Sequence, residues 1–167
     1  MKNKIAIAVL AILLVSCKSQ NANSWKNASV ISSCPENTEC TFEVLENKSL
    51  LVKSDDTGHL YYQIQDEPSK KVVQFTSRKI TDTQLMDAGY SETVIFETDD
   101  RLSNLNNSGI DMQNTKMLLG VQCFCRGKAG FYKIESGKMT YAGNTLRIEV
   151  PGIIEDQKIQ EVTVTFN

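Results

Sequence analysis

The sequence predicts an all-β fold, an antiparallel β-sandwich or barrel-like domain carrying one short helix. Short segments rich in Val, Ile, Thr, Tyr and Phe recur from Cys40 to Phe166, many of them alternating apolar and polar residues with period two. Glycine-bearing turns separate them, as in Asp55-Asp56-Thr57-Gly58, Ser136-Gly137-Lys138 and Ala142-Gly143-Asn144. Short strands at this spacing suit two packed sheets or a closed one.

The first expected strand opens at Cys40, where Cys40, Phe42 and Val44 share one face. Leu50–Lys53, Leu60–Gln65, Val72–Ser77 and Thr93–Thr98 follow as further strands. The segment Thr81–Ala88 departs from the pattern. Thr81 and Gln84 are spaced as a capping box and Gly89 can end a helix, which places the one short helix there. Asp99 to Asn114 is polar and reads as a loop. The strands Lys116–Cys125, Gly130–Ile134, Lys138–Tyr141, Thr145–Val150 and Glu161–Phe166 complete the domain. A single domain is expected over residues 34–167, with no internal repeat.

What precedes the domain reads as an export signal. Lys2 and Lys4 give a positive start, and Ile5 to Val15 contains no polar residue. A membrane-spanning helix needs about 20 apolar residues, so this run fits the hydrophobic part of a signal peptide over residues 1–16. The run ends in Leu14-Val15-Ser16-Cys17, which resembles the lipobox of bacterial lipoproteins. The resemblance implies a diacylglyceryl group on the Cys17 thiol, cleavage before Cys17 and acylation of the new amine. Two or more acyl chains hold a protein stably at a membrane, at about 0.8 kcal/mol per buried CH2. By analogy with such lipoproteins, Lys18 after the cysteine favours the outer over the inner membrane, with the domain facing the periplasm. Residues 17–33 are rich in Ser and Asn and read as a lipidated flexible tether, with an r.m.s. span of about 20–25 Å. Trp25 is the exception, suited either to lipid headgroups or to docking on the domain.

Without Lys2 and Lys4 the balance is 16 basic against 20 acidic residues, which gives no electrostatic footprint for nucleic acid. The basic pairs Lys70-Lys71 and Arg126/Lys128 read as solvated turns or strand edges. His59 is the only histidine, sits beside a turn glycine, and so excludes nucleophilic triads and most metal-hydrolase sites. The adjacent acids Asp55/Asp56 and Asp99/Asp100 could serve a glycosidase only if two carboxylates faced each other across a cleft. Asn104, Asn106 and Ser108-Gly109 are spaced like part of a calcium loop. They lack its first carboxylate, and Thr115 stands where a bidentate Glu belongs.

In an oxidising compartment Cys34, Cys40, Cys123 and Cys125 favour two disulfides, with three connectivities open. One arrangement staples the Cys40 strand to the Cys123/Cys125 strand, with Cys34 reaching the remaining sulfur. A local Cys34–Cys40 bridge is the alternative, leaving Cys123 and Cys125 as free thiols. A direct Cys123–Cys125 bond is disfavoured, since residues two apart in an extended strand lie near the limit of disulfide reach. The other reading of these thiols is a soft-metal or redox site using Cys123 and Cys125. No cofactor is expected. The segment Arg126–Tyr132 joins two cations, a permissive backbone and two aromatics, and offers Arg126, Lys128 and Tyr132 as a binding surface. The expected function is a membrane-anchored, non-enzymatic binding domain for a protein or small-molecule partner, with the thiol site as the alternative.

Overall fold

A computed structural model describes residue 25 and residues 28–81 and 89–166. The fold is all-β and built from two antiparallel five-stranded sheets. One sheet has the order β1 (Ala28–Ile31), β10 (Glu161–Phe166), β9 (Thr145–Glu149), β8 (Lys138–Ala142), β5 (Asn107–Ser108). The other has the order β2 (Thr38–Ser54), β3 (Leu60–Lys79), β4 (Tyr90–Asp99), β6 (Leu118–Cys123), β7 (Gly130–Lys133).

Alternation makes the main core. Val73, Phe75, Val94, Phe96, Leu119 and Val121 line one face of the second sheet and pack with Leu146, Ile148, Val162, Val164 and Phe166 of the first. Glu92 is fully buried between the sheets, where its carboxylate accepts the Lys158 and Ile159 N–H groups at 2.7 and 2.6 Å. The Tyr90 hydroxyl also donates to it. A buried acid so satisfied ties β4 to the loop before β10.

The second sheet also closes on itself. β2 and β3 carry an irregularity between Glu46 and Lys48, with Asn47 and Ser69 at φ of 56° and 66°. The shift reverses which residues face inward, so that Leu45 before it and Leu50 and Val52 after it pack in the same cluster. The far half of the hairpin then curls over the sheet until Leu60 pairs with Phe131 of β7. Leu50, Val72, Ile95 and Leu118 form a second small core inside this ring, with Tyr62 and Phe131 against it. Gly120 allows the closure: a Cβ there would lie 2.6 Å from the Phe131 ring.

Several sequence expectations change. The paired segments 40–45 and 50–53, and likewise 60–65 and 72–77, are single long strands, because the β-bulge bends them without breaking the ladder. The fold begins earlier than residue 34. Trp25, 1% exposed, stacks on Phe166 at 4.8 Å, and β1 pairs with β10, so the later part of the expected tether belongs to the domain. The rest of that tether, the signal segment, Cys17 and residues 82–88 of the expected helix lie outside the described residues. The expected loop 99–114 holds β5 and part of a 3-10 helix, Gly109–Thr115, which buries Met112 and Thr115. Lys71 is not solvated. It is 3% exposed and paired with Glu46 and, at 3.3 Å, with Asp100.

The staple between the Cys40 strand and the Cys123/Cys125 strand does not form. The register runs Cys40, Ser77, Glu92, Val121 across four neighbouring strands. Cys40 thus stands three strand spacings, about 14 Å, from the β6 backbone, far beyond disulfide reach. Cys34 pairs with Cys40 and Cys123 with Cys125, at Cα separations of 5.8 and 5.2 Å. The second bond, disfavoured for an extended strand, forms because β6 stops at Cys123 and the chain bends at Phe124.

Candidate functional site

The closed half of the second sheet leaves a concave polar face. Register places its side chains in rows. Thr41, Thr76, Thr93, Gly120 and Phe131 form one rung, and Arg78, Ser91 and Gln122 form the next. Glu43 and Gln74 lie on the rung towards the small core. These residues share the face of Val72 and Ile95, whose apolar side chains fill the base of the ring. Above that base the residues become polar, and a cleft of about 280 Å³ opens, bounded at its deep end by Tyr62 and Phe131. A second cleft of about 390 Å³ adjoins it, sharing Arg78, Ser91 and Gln122 and reaching Tyr90, Cys123 and Phe124.

The floor is held by its own hydrogen bonds. Gln74 Nε2 donates to Thr76 Oγ1 at 3.2 Å, Thr76 and Thr93 hydroxyls meet at 3.1 Å, and Ser91 Oγ donates to Gln122 Oε1 at 3.3 Å. Tyr62 and Phe131 meet edge to face, 5.1 Å apart. Burial raises the Tyr62 phenol pKa, so this hydroxyl stays protonated. Arg78 is exposed where the clefts join, and no described residue pairs with its guanidinium. Glu43, also exposed, is the one acid lining the polar cleft.

At the base of the ring the charges are fully used. Glu97 is 6% exposed and accepts from Ser49 Oγ, the Leu50 N–H and Lys116 Nζ at 2.7, 2.9 and 2.7 Å, with Lys70 Nζ at 3.3 Å. Burial pushes its pKa up, but these donors outweigh it and hold the carboxyl at about 2. This group is structural: it ties β4 to β2 and to Lys116, the residue that ends the 3-10 helix.

The segment expected to bind lies elsewhere on the ring. Phe131 and Tyr132 point to opposite faces, one against the small core and the other against the main core. The Tyr132 hydroxyl donates to the Lys128 carbonyl at 2.9 Å and closes the turn. Lys128 pairs with Asp156 at 3.0 Å and Glu155 at 3.2 Å. Arg126 is exposed with no partner among the described residues. The turn borders a separate cleft of about 540 Å³ that also takes in His59. Its loop chemistry serves the fold more than a ligand, since two of the three polar groups are engaged within the chain.

The other candidates are also placed. Asp55 accepts the Thr57 and His59 N–H groups at 2.9 Å each and shapes the hairpin turn. Asp99 accepts the Ser103 N–H at 2.9 Å, and Asp100 pairs with Lys71. Neither the polar cleft nor the cleft beside His59 carries two carboxylates. Asn104 accepts the Thr98 hydroxyl at 2.7 Å and Asn106 the Tyr141 N–H at 3.2 Å, so both side-chain oxygens serve the fold. Among the described residues no three His, Cys, Asp or Glu side chains converge as a metal site requires, and no helix is long and apolar enough to cross a membrane.

Residue-level reasoning did not single out Arg78, Gln74 or Thr76. Their signal was the polar alternation in Val72-Val73-Gln74-Phe75-Thr76-Ser77-Arg78, which a strand facing open water would show equally. Only closure of the sheet turns that face into a cleft. The chain matches no protein-family model, no curated protein and no solved structure.

Proposed function

We propose that the chain is an exported lipoprotein, held at the membrane through acyl chains on Cys17, whose β domain binds a small acidic saccharide in the polar cleft of the closed sheet. The observation that carries the binding reading is Arg78, a guanidinium with no partner among the described residues, beside a floor of neutral hydroxyl and amide groups. Guanidinium pairs with carboxylate in two parallel hydrogen bonds. Hydroxyls and amides match the hydroxyls of a sugar. Tyr62 and Phe131 supply apolar surface at the deep end, the usual mixture in small-ligand sites, whose volumes begin near about 300 Å³. The residues suit binding more than catalysis, because the cleft offers no second carboxylate and no nucleophile–base pair.

The anchor reading rests on Lys2, Lys4, the apolar run and the lipobox-like Leu14–Cys17. It places the domain at the periplasmic side of a membrane, the outer one by preference, and the acidic balance leaves nucleic acid out. Two experiments test the two halves. The intact mass of the membrane-extracted chain will show loss of residues 1–16 and a lipid adduct on Cys17, and Cys17→Ser will release it. Calorimetric titration of the full chain with a glucuronate-containing oligosaccharide will give saturable binding that Arg78→Gln weakens by about 10-fold or more, the range for losing one charged hydrogen-bond donor. Equal affinity for the neutral counterpart would remove the role of Arg78.

A further inference from the structure

The two cysteine bridges have different settings. Cys34–Cys40 closes a loop that its own hydrogen bonds support, with Thr38 Oγ1 donating to the Pro35 carbonyl at 2.6 Å; Cys34 is exposed, and Cys40, like Cys123, packs half-buried against the main core. Cys123–Cys125 encloses a single residue at the bend where β6 ends. The stabilisation a disulfide gives through the unfolded chain grows with the loop it closes, so this bridge gains less from it than Cys34–Cys40 does. Stability therefore supplies less reason for this bond than for Cys34–Cys40.

Its surroundings supply another. Both cysteines are half-buried, and Cys123 lines the 390 Å³ cleft together with Arg78. Arg126, exposed and unpaired among the described residues, follows Cys125 directly. Cations beside a sulfur favour the thiolate and make it the better leaving group in exchange. Between the sulfurs, Phe124 is 85% exposed, the most exposed large apolar side chain among the described residues. An apolar ring at that point gives an unfolded segment something to bind while its thiols react.

We propose that Cys123–Phe124–Cys125 is a thiol–disulfide exchange site whose bridge oxidises the dithiol of an exported polypeptide. A thiolate of that polypeptide attacks one sulfur of the pair. The Cys123–Cys125 bond breaks, a mixed disulfide forms, and the electron pair leaves on the other cysteine as a thiolate. The polypeptide's second thiolate then attacks its own sulfur in the mixed disulfide. The polypeptide leaves as a disulfide, and Cys123 and Cys125 remain as a dithiol carrying the two electrons and, after protonation, the two protons. The site uses the rim of the cleft but not a bound saccharide, so failure of the saccharide reading leaves it standing.

The test equilibrates the purified full chain in glutathione buffers of graded ratio, quenches with acid and reads each cysteine by differential alkylation and peptide mass. Cys123 and Cys125 will interconvert between bridge and dithiol within the glutathione range while Cys34–Cys40 stays oxidised, their equilibrium constants differing by about 100-fold or more. The oxidised chain will also convert a reduced dithiol peptide carrying apolar residues to its disulfide in stoichiometric amount. The Cys123→Ser/Cys125→Ser variant will not, and Phe124→Ser will slow the peptide reaction while leaving the glutathione equilibrium unchanged. A Cys123–Cys125 bridge as resistant to glutathione as Cys34–Cys40 would overturn the proposal. So would a chain that reaches the dithiol state but never oxidises the peptide.

Discussion

Two residues show how single side chains hold this fold. Gly120 is a strand glycine with nothing unusual in its local sequence, yet the Phe131 ring lies where its Cβ would be. Gly120→Ala will therefore displace the ring and destabilise the fold by about 1–3 kcal/mol, measured by urea unfolding. Glu97 sets the acid limit. Its folded carboxyl sits at about 2 against an ordinary 4.5, so its contribution is present above the ordinary value and lost as pH falls through about 2. Stability will drop between about pH 5 and pH 2, by at most a few kcal/mol from this group. Glu97→Gln will be less stable at neutral pH and will show a shallower loss across the same window, in unfolding curves taken at stepped pH. Neither residue was legible in the sequence. One contact joins residues on adjacent strands through a ring lying flat, and the other gathers β2, β3 and the end of the 3-10 helix around one acid.

At the scale of elements the sequence was informative about strands and weak about their ends. Period-two alternation located Cys40–Leu45, Val72–Ser77 and Thr93–Thr98 because each buries one face in the main core. The bulge at Glu46–Lys48 reverses that alternation, which split one long strand into two apparent ones. β1 escaped because Ala28–Ile31 is short and follows a Ser- and Asn-rich stretch, and its pairing with β10 is non-local. The consequence is testable. Trp25 meets Phe166, Tyr141 and Phe42 at 4.8, 5.2 and 6.2 Å, so it belongs to the domain's own packing. Trp25→Ala will cost about 3–5 kcal/mol in chemical unfolding, whereas a residue of a free tether would cost nothing measurable. The cysteine pattern shows the same limit. Cysteines two apart read as unbridgeable only while the strand is assumed to continue, and the bend at Phe124 ends it.

For the whole molecule, a sandwich core and a closed ring share the second sheet, one on each of its faces. That division explains why the site stayed hidden. Residues that face a cleft and residues that face open water have the same polarity, and closure depends on Leu60 reaching Phe131 across the ring. The proposed anchor rests on composition and the lipobox-like residues alone, and its residues lie outside the described ones. In the arrangement proposed above, acyl chains on Cys17 would hold the domain at the membrane and the cleft would take small acidic ligands beside it. The most direct measurement is an amide chemical-shift map of the isotope-labelled full chain during titration with the glucuronate-containing oligosaccharide. The account predicts saturable shifts centred on Gln74, Thr76, Arg78, Ser91, Thr93 and Gln122 whose midpoint moves to about 10-fold or more higher ligand in Arg78→Gln. Shifts centred instead on Arg126–Tyr132, or none at saturating ligand, would contradict it.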